Sequence, residues 1–319
     1  MHVVVAVNPH AASGRRAAVA ARTTLRLQAA GHRVTGLASP TAAALTAELQ
    51  RAVTSGDVDA VIAVGGDGMV HLAVNVLAES GVPLGIVPTG SGNDIARALG
   101  LLAKGDVVDA RLVQALTRPP RLLDAVRLDN LPLAGGGEEH RWFAGVLSAG
   151  FDAAVNERGN ALTRLPGTAR YAAAVLLEVA HLHPWRYRLT LDGVSTDLDA
   201  VLVTVGNTTS IGGGMRLTPD ARPDDGLLDV LVASPLGRLN LLRLFPRVFT
   251  GTHTGDRHVT ISRARTVTIS AAPRPRRALD EPALDDRAGG DPIVYADGER
   301  IGPLPVTLEC VPGALRLLG

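Results

Sequence analysis

The chain has 319 residues, of which 46% are hydrophobic, 20% charged and only 3% aromatic, and its formal net charge is +1. That supply of apolar residues is enough for two packed domains, whereas the near-zero charge and the shortage of aromatic platforms argue against a nucleic-acid protein held by bulk charge or base stacking. The single cysteine, Cys310, excludes an internal disulfide, and no run reaches the roughly 18 uninterrupted apolar residues of a spanning helix.

In chain order, Met1 leads directly into a strand pattern with no secretory signal ahead of it, so the expectation is a soluble cytoplasmic protein. Strands are predicted at 2–7, 33–38, 58–64 and 83–87, and helices at 14–30, 41–55, 69–79 and 93–99. Ser13 is a candidate N-cap and Gly31 a candidate stop for the first helix. Short apolar strands alternating with helices are the mark of a parallel α/β sheet. From about residue 121 strand-like alternation takes over, at 185–191, 199–205, 227–232, 258–262, 266–270 and 292–295, interrupted by helical stretches near 166–181 and 236–249. This half reads as an antiparallel β-sandwich. The expected division is therefore 1–120 and 121–319, with the C-terminal end able to pack back on the first unit. Residues 273–291 read as an exposed loop. Cys310 lies in the alternating run 306–311 and reads as a small core residue. His181, His183, His253 and His258 lack ligand spacing and read as surface residues.

Three glycine-containing turns follow strands of the first half: "AVNPHAASGRR" (6–16), "AVGGDGMVHLAVNVLA" (63–78) and "GIVPTGSGNDIARALG" (85–100). In open parallel sheets ligands bind beyond the carboxyl ends of the strands. Turns at equivalent ends can converge there and offer backbone N–H groups and the hydroxyls of Ser13, Thr89 and Ser91 to phosphates. None matches a Walker motif or the usual dinucleotide fingerprint.

With "SAGFDAAV" (148–155), "GNTTSIGGGMRLTPDARPDDGLLDV" (206–230) and "ADGER" (296–300) in the same order, the chain resembles the diacylglycerol kinase catalytic-domain family, which includes bacterial lipid kinases and the sphingosine and ceramide kinases. The resemblance spans nearly the whole chain and implies a nucleotide-binding α/β domain followed by a lipid-substrate β-sandwich, with ATP and magnesium as cofactors. By position it implies nucleotide contacts at Asn8, Gly65, Gly66, Asp67, Gly68 and Ser91, with Ser39 or Thr41 nearby. It implies a divalent ion on the carbonyls of Arg222 and Leu227 and the carboxylate of Asp225, with Asp67 able to reach it through water. It also implies a general base in "DGE", Glu299 first, with Asp297 beside it, and site-lining positions at Asp152 and Asn207. Asp-Gly is equally a hairpin turn signal, and the turn and the function can coexist. The sequence departs from the family pattern at Met69, where Thr is usual, at His71-Leu72, where Asn-Glu is usual, and at Ser91 for Thr.

The reading is a lipid kinase acting on diacylglycerol or another long-chain alcohol such as a sphingoid base or ceramide. An NAD kinase-like or phosphofructokinase-like enzyme and a non-catalytic nucleotide- or lipid-binding protein are the rivals. The partner is a lipid at a membrane surface. In "LGRLNLLRLFPRVFTG" (236–251), leucines and phenylalanines beside Arg238, Arg243 and Arg247 suit an interfacial anchor or a helix packed on the sandwich, and Pro246 should kink or shorten it.

Overall fold

Strand β1 (His2–Val7) is apolar from Val3 on, as a strand buried on both faces must be. In the computed structural model, which describes residues 1–8, 14–103, 105–129, 141–151, 153–155, 158, 174, 177–179, 182–273 and 292–319, its side chains divide by parity. Val3, Val5 and Val7 pack towards α1 (Arg15–Ala29) and α5 (Asp106–Ala115), and Val4 and Ala6 towards α2 (Ala42–Thr54) and α3 (Asp67–Leu77). Parallel pairing gives the order β2 (Arg33–Ala38), β1, β3 (Ala60–Gly65), β4 (Leu84–Pro88). Gly31, at φ +86°, follows the C-cap of α1 and ends it. Short α4 (Asp94–Ala98) follows Asn93, which is itself left-handed, so the helix is less than the expected 93–99.

The sheet does not stop at β4. The last strand, β16 (Val306–Leu317), pairs its Leu317 in parallel with Leu84 and runs antiparallel to β5 (Arg121–Asp129) and, further along, to β13 (Thr266–Ala271). Through β8 (Trp185–Leu191) and β9 (Val194–Ala200), with β6 (Arg141–Phe143) on β5, one ten-stranded sheet crosses both halves of the chain. A second, antiparallel sheet has the order β12 (Val259–Ala264), β11 (Leu228–Ala233), β10 (Leu202–Gly206), β7 (Val146–Gly150), β14 (Ile293–Ala296), β15 (Glu299–Pro303). Leu128, Phe143, Leu147, Val205, Val230, Val267, Leu308 and Cys310 fill the space between the two sheets. Burial pushes the Cys310 thiol up to about 12, which suits an inert core residue.

Several expectations are corrected. Residues 199–205 are not one strand: the chain leaves the first sheet after Ala200 and enters the second at Leu202, with buried Val201 bonded to Ala233 and Phe151 at the crossing. Helix α3 begins at Asp67, two residues before the predicted start, so the aspartate lies in its first turn. His253 is 2% exposed, its Nε2 donating to the Leu217 carbonyl and its pKa lowered by burial, because the turn after Gly251 folds inward beneath helix α6 (Arg238–Thr250). Helix α6 does pack on the second sheet and contains Pro246 without ending there. Among the described residues no helix is long and apolar enough to cross a membrane. Ser13, Asp152, His181, most of 166–181 and residues 274–291 lie outside the described residues.

Candidate active site

The β3–α3 and β4–α4 turns meet backbone to backbone. A Cβ on Gly90 would stand 2.6 Å from the Gly66 Cα, and Thr89 N–H donates to the Gly65 carbonyl at 2.8 Å, so this crossing admits only glycine. Asn93 closes the second turn by accepting from Gly90 N–H (2.9 Å) and donating to its carbonyl (2.8 Å). Ser91 is exposed at the tip of that turn, and Asn8 directly follows β1 at the same edge of the sheet. The start of α3 adds the N–H groups of its first turn, the positive end of a helix dipole.

Asp67 sits between the two turns. Its Oδ1 accepts the Ile95 N–H at 3.1 Å. Burial, with Asp94 and Asp297 adding like charge, raises its pKa from 3.8 to about 6. Asp94, the last residue of "PTGSGND", was not expected as a site residue. It is buried, its pKa is raised mainly by that burial, and its Oδ2 accepts the Gly213 N–H at 2.6 Å. It thus ties the glycine-rich 211–214 loop of the second half to the first. The end of the quoted motif, an acid opening a helix, was the signal available for it.

The second half supplies the opposite wall. Asp297 and Gly298, with φ of +52° and +84°, are the two central residues of the β14–β15 hairpin, as a primed turn requires. Asp297 is the more constrained acid. Its side chain is 1% exposed and accepts from the N–H groups of Gly145 (2.9 Å), Val146 (3.2 Å) and Ala144 (3.2 Å), with His71 Nδ1 at 3.2 Å. So engaged, it holds the hairpin that carries Glu299. Glu299 opens β15, is exposed, and brings Oε1 to 3.0 Å from the position a Cβ on Gly68 would take. The carboxylate of one half therefore lies against the glycine turn of the other.

Other expected residues are used by the fold. The Ser39 hydroxyl donates to Glu48 at 2.6 Å and the Thr41 hydroxyl accepts from Ala44 N–H as the N-cap of α2. Asn207 is 1% exposed: its amide NH2 donates to the carbonyls of Asp124 and Ala144, while its buried Oδ1 has no hydrogen-bond partner among the described residues. Met69 and Leu72 are buried in the α2–α3 core, so neither departure from the family pattern places a side chain in the cleft. His71, by contrast, joins α3 to the Asp297 hairpin.

The acidic loop at 220–227 is tied down by hydrogen bonds and an ion pair. Asp124 accepts the N–H of Gly226 (2.7 Å) and of Gly313 (3.0 Å), and donates its own N–H to the Pro223 carbonyl. Asp225 is bonded to Arg263 and to Leu227 N–H, and Arg263 also lies 3.6 Å from buried Asp229. Arg222 is exposed. The one carboxylate expected to bind an ion is thus paired with Arg263. An ion at this loop would take Asp225 from Arg263 and add the carbonyls of Arg222 and Leu227. If the Arg263 pair holds Asp225 against magnesium, the unfolding midpoint should be the same in magnesium and in EDTA, whereas Arg263→Gln, which strands the buried Asp229 carboxylate, should lower it by roughly 2–6 °C. A magnesium-dependent rise that Asp225→Asn abolishes would return the cation to this loop.

Comparison with known proteins agrees with this architecture. Residues 2–125 match the diacylglycerol kinase catalytic domain, and residues 145–319 match the YegS C-terminal NAD kinase beta sandwich-like domain. A protein named diacylglycerol kinase from Mycobacterium tuberculosis is 39% identical over 271 residues, covering 85% of this chain and 79% of that one. One from Stenotrophomonas maltophilia, named "Probable lipid kinase YegS-like", is 28% identical over 267 residues, covering 82% and 78%. A solved structure from Bacillus anthracis superposes with a TM-score of 0.73 over 99% of this chain and 97% of that one, at 23% identity, a likeness of fold.

Proposed function

The chain belongs to the diacylglycerol kinase catalytic-domain family of lipid kinases, and from that premise we propose that it moves the γ-phosphoryl group of ATP to the free hydroxyl of diacylglycerol. The observation that supports this most is the approach of Glu299 to Gly68, which puts a carboxylate beside the turn where nucleotide phosphates would lie. Asn8, Gly65, Gly66, Gly68 and Ser91 contact those phosphates. Ser39 and Thr41 do not, since the fold uses their hydroxyls. Magnesium arrives with ATP as part of the substrate, and Asp67, ionised above about pH 6, is the carboxylate that meets it. Glu299 takes the proton of the acceptor hydroxyl as that oxygen bonds to the γ-phosphorus. The bond from that phosphorus to the bridging oxygen breaks, and ADP leaves. Asp297 and His71 fix the hairpin that presents Glu299.

The acceptor is tested by offering diacylglycerol, sphingosine, ceramide and NAD to the purified chain at equal ATP. Diacylglycerol should give the highest kcat/KM. A higher value for sphingosine or ceramide would change the lipid, and phosphorylation of NAD alone would replace the lipid kinase reading.

A further inference from the structure

Helix α6 has two apolar stripes where a helix packed on one surface needs one. Leu241, Leu244, Phe245 and Val248, spaced three and four apart, face inward, the last three onto the second sheet and Leu241 towards Phe151 and Leu182. On the opposite side Leu239 is 72% exposed, Phe249 47% and Leu242 41%, with exposed Pro246 between them. An outward apolar row of this kind marks an interaction surface rather than scattered exposure.

Beside the row, between α6 and the turn at 255–258, lies a cavity of about 500 Å³ lined by Asn240, Arg243, Arg247, Asp256, Arg257 and His258. Three guanidinium groups face one carboxylate. Arg247 is committed to the fold, bonded to the Thr252 carbonyl and 3.4 Å from Asp256. Arg257 Nε donates to His258 Nε2 at 3.2 Å. Arg243 is exposed and has no acidic partner among the described residues. In a chain of net charge +1 this is a local excess of positive charge, set next to apolar side chains.

We infer that this face of α6 docks on an anionic phospholipid bilayer, with a lipid phosphate in the arginine cavity and Leu239, Leu242 and Phe249 in the acyl boundary. The pairing of headgroup charge with an apolar row is what an interfacial helix requires. A soluble anion would use the cavity and leave the row unexplained. Docking would also orient the cleft. The Val248 carbonyl accepts the Arg216 N–H at 2.9 Å, and the same loop reaches Asp94 at Gly213. The surface itself is argued from charge and exposure. The proposed lipid acceptor supplies only its purpose.

The test is sedimentation of the full chain with phosphatidylcholine vesicles, with and without phosphatidylglycerol. The charge variant is Arg243→Gln with Arg257→Gln, since Arg247 supports the fold. The apolar variant is Leu239→Ser with Leu242→Ser, since the Phe249 ring packs on Phe245. The wild type should prefer anionic vesicles and lose that preference as salt rises. The charge variant should bind them roughly thirty-fold more weakly, at about five-fold per residue, and the apolar variant should also lose binding, both with unfolding midpoint and ATP binding unchanged. Equal binding of wild type to neutral vesicles, unchanged binding of the charge variant, or full competition by glycerol phosphate would overturn the inference. Sedimentation needs no turnover, so its failure would leave the phosphotransfer reading standing, and an inactive cleft would leave the docking surface standing.

Discussion

Glu299→Gln should cut kcat by about 10²- to 10⁴-fold, the usual loss when a general base is removed, while ATP binds as before. The amide keeps the shape of the carboxylate against Gly68 but cannot take the hydroxyl proton. Glu299 is exposed at the start of β15 and contributes nothing to the core, so the unfolding midpoint should hardly move. That separates it from Asp297, whose three backbone N–H contacts are structural, and whose replacement should cost stability and activity together. A Glu299→Gln enzyme with near-normal kcat on a lipid acceptor would remove the base from this account.

Asp67→Asn should make the nucleotide-free protein more stable at neutral pH and nearly inactive. The folded-state pKa of Asp67 is about 6 against 3.8 for the free group, because burial and the neighbouring acids disfavour its charge. A carboxyl raised in this way adds stability that is fully present below about pH 3.8 and is lost as pH rises through about 6. Asparagine is neutral throughout, and its carbonyl can still accept the Ile95 N–H. At pH 7.5 in EDTA the variant should therefore exceed wild type by on the order of 2 kcal/mol in denaturant melts, and the gap should close towards pH 4. Its turnover should fall roughly 10²-fold or more, since the charge facing magnesium and the phosphates is gone. Wild-type kcat/KM should decline below pH 6 as Asp67 protonates. A variant no more stable than wild type at pH 7.5 would show that Asp67 is not held against its own desolvation.

What could be read from the sequence follows the range of the interactions involved. The parallel sheet was legible because β1, β3 and β4 are short apolar runs with helices between them. The glycines at 65, 66 and 90 announced a close approach that the fold realises between two turns. Helix α5 and strand β5 were missed because each carries a buried acid where an apolar residue would be expected. Asp109 accepts from Arg22 and Thr23, and Asp124 from Gly226 and Gly313. Both acids are satisfied by partners far away in the chain. The same distance hid the role of His71, which meets Asp297 across the two halves. At the acidic loop the partner of Asp225 was hidden for a related reason: only the β11–β12 register sets Arg263 opposite Asp229 and within reach of Asp225. Ser39 shows the converse, a polar residue whose hydroxyl is taken by a neighbouring helix.

The central claim, that the cleft between the two halves passes phosphate from ATP to a lipid hydroxyl, is tested most directly by incubating the purified chain with γ-labelled ATP, magnesium and diacylglycerol in mixed micelles, then extracting with organic solvent. The label should move into an organic-soluble phosphomonoester, at a rate that Glu299→Gln abolishes. Label found only in inorganic phosphate, or in a water-soluble nucleotide when NAD is supplied, would contradict it.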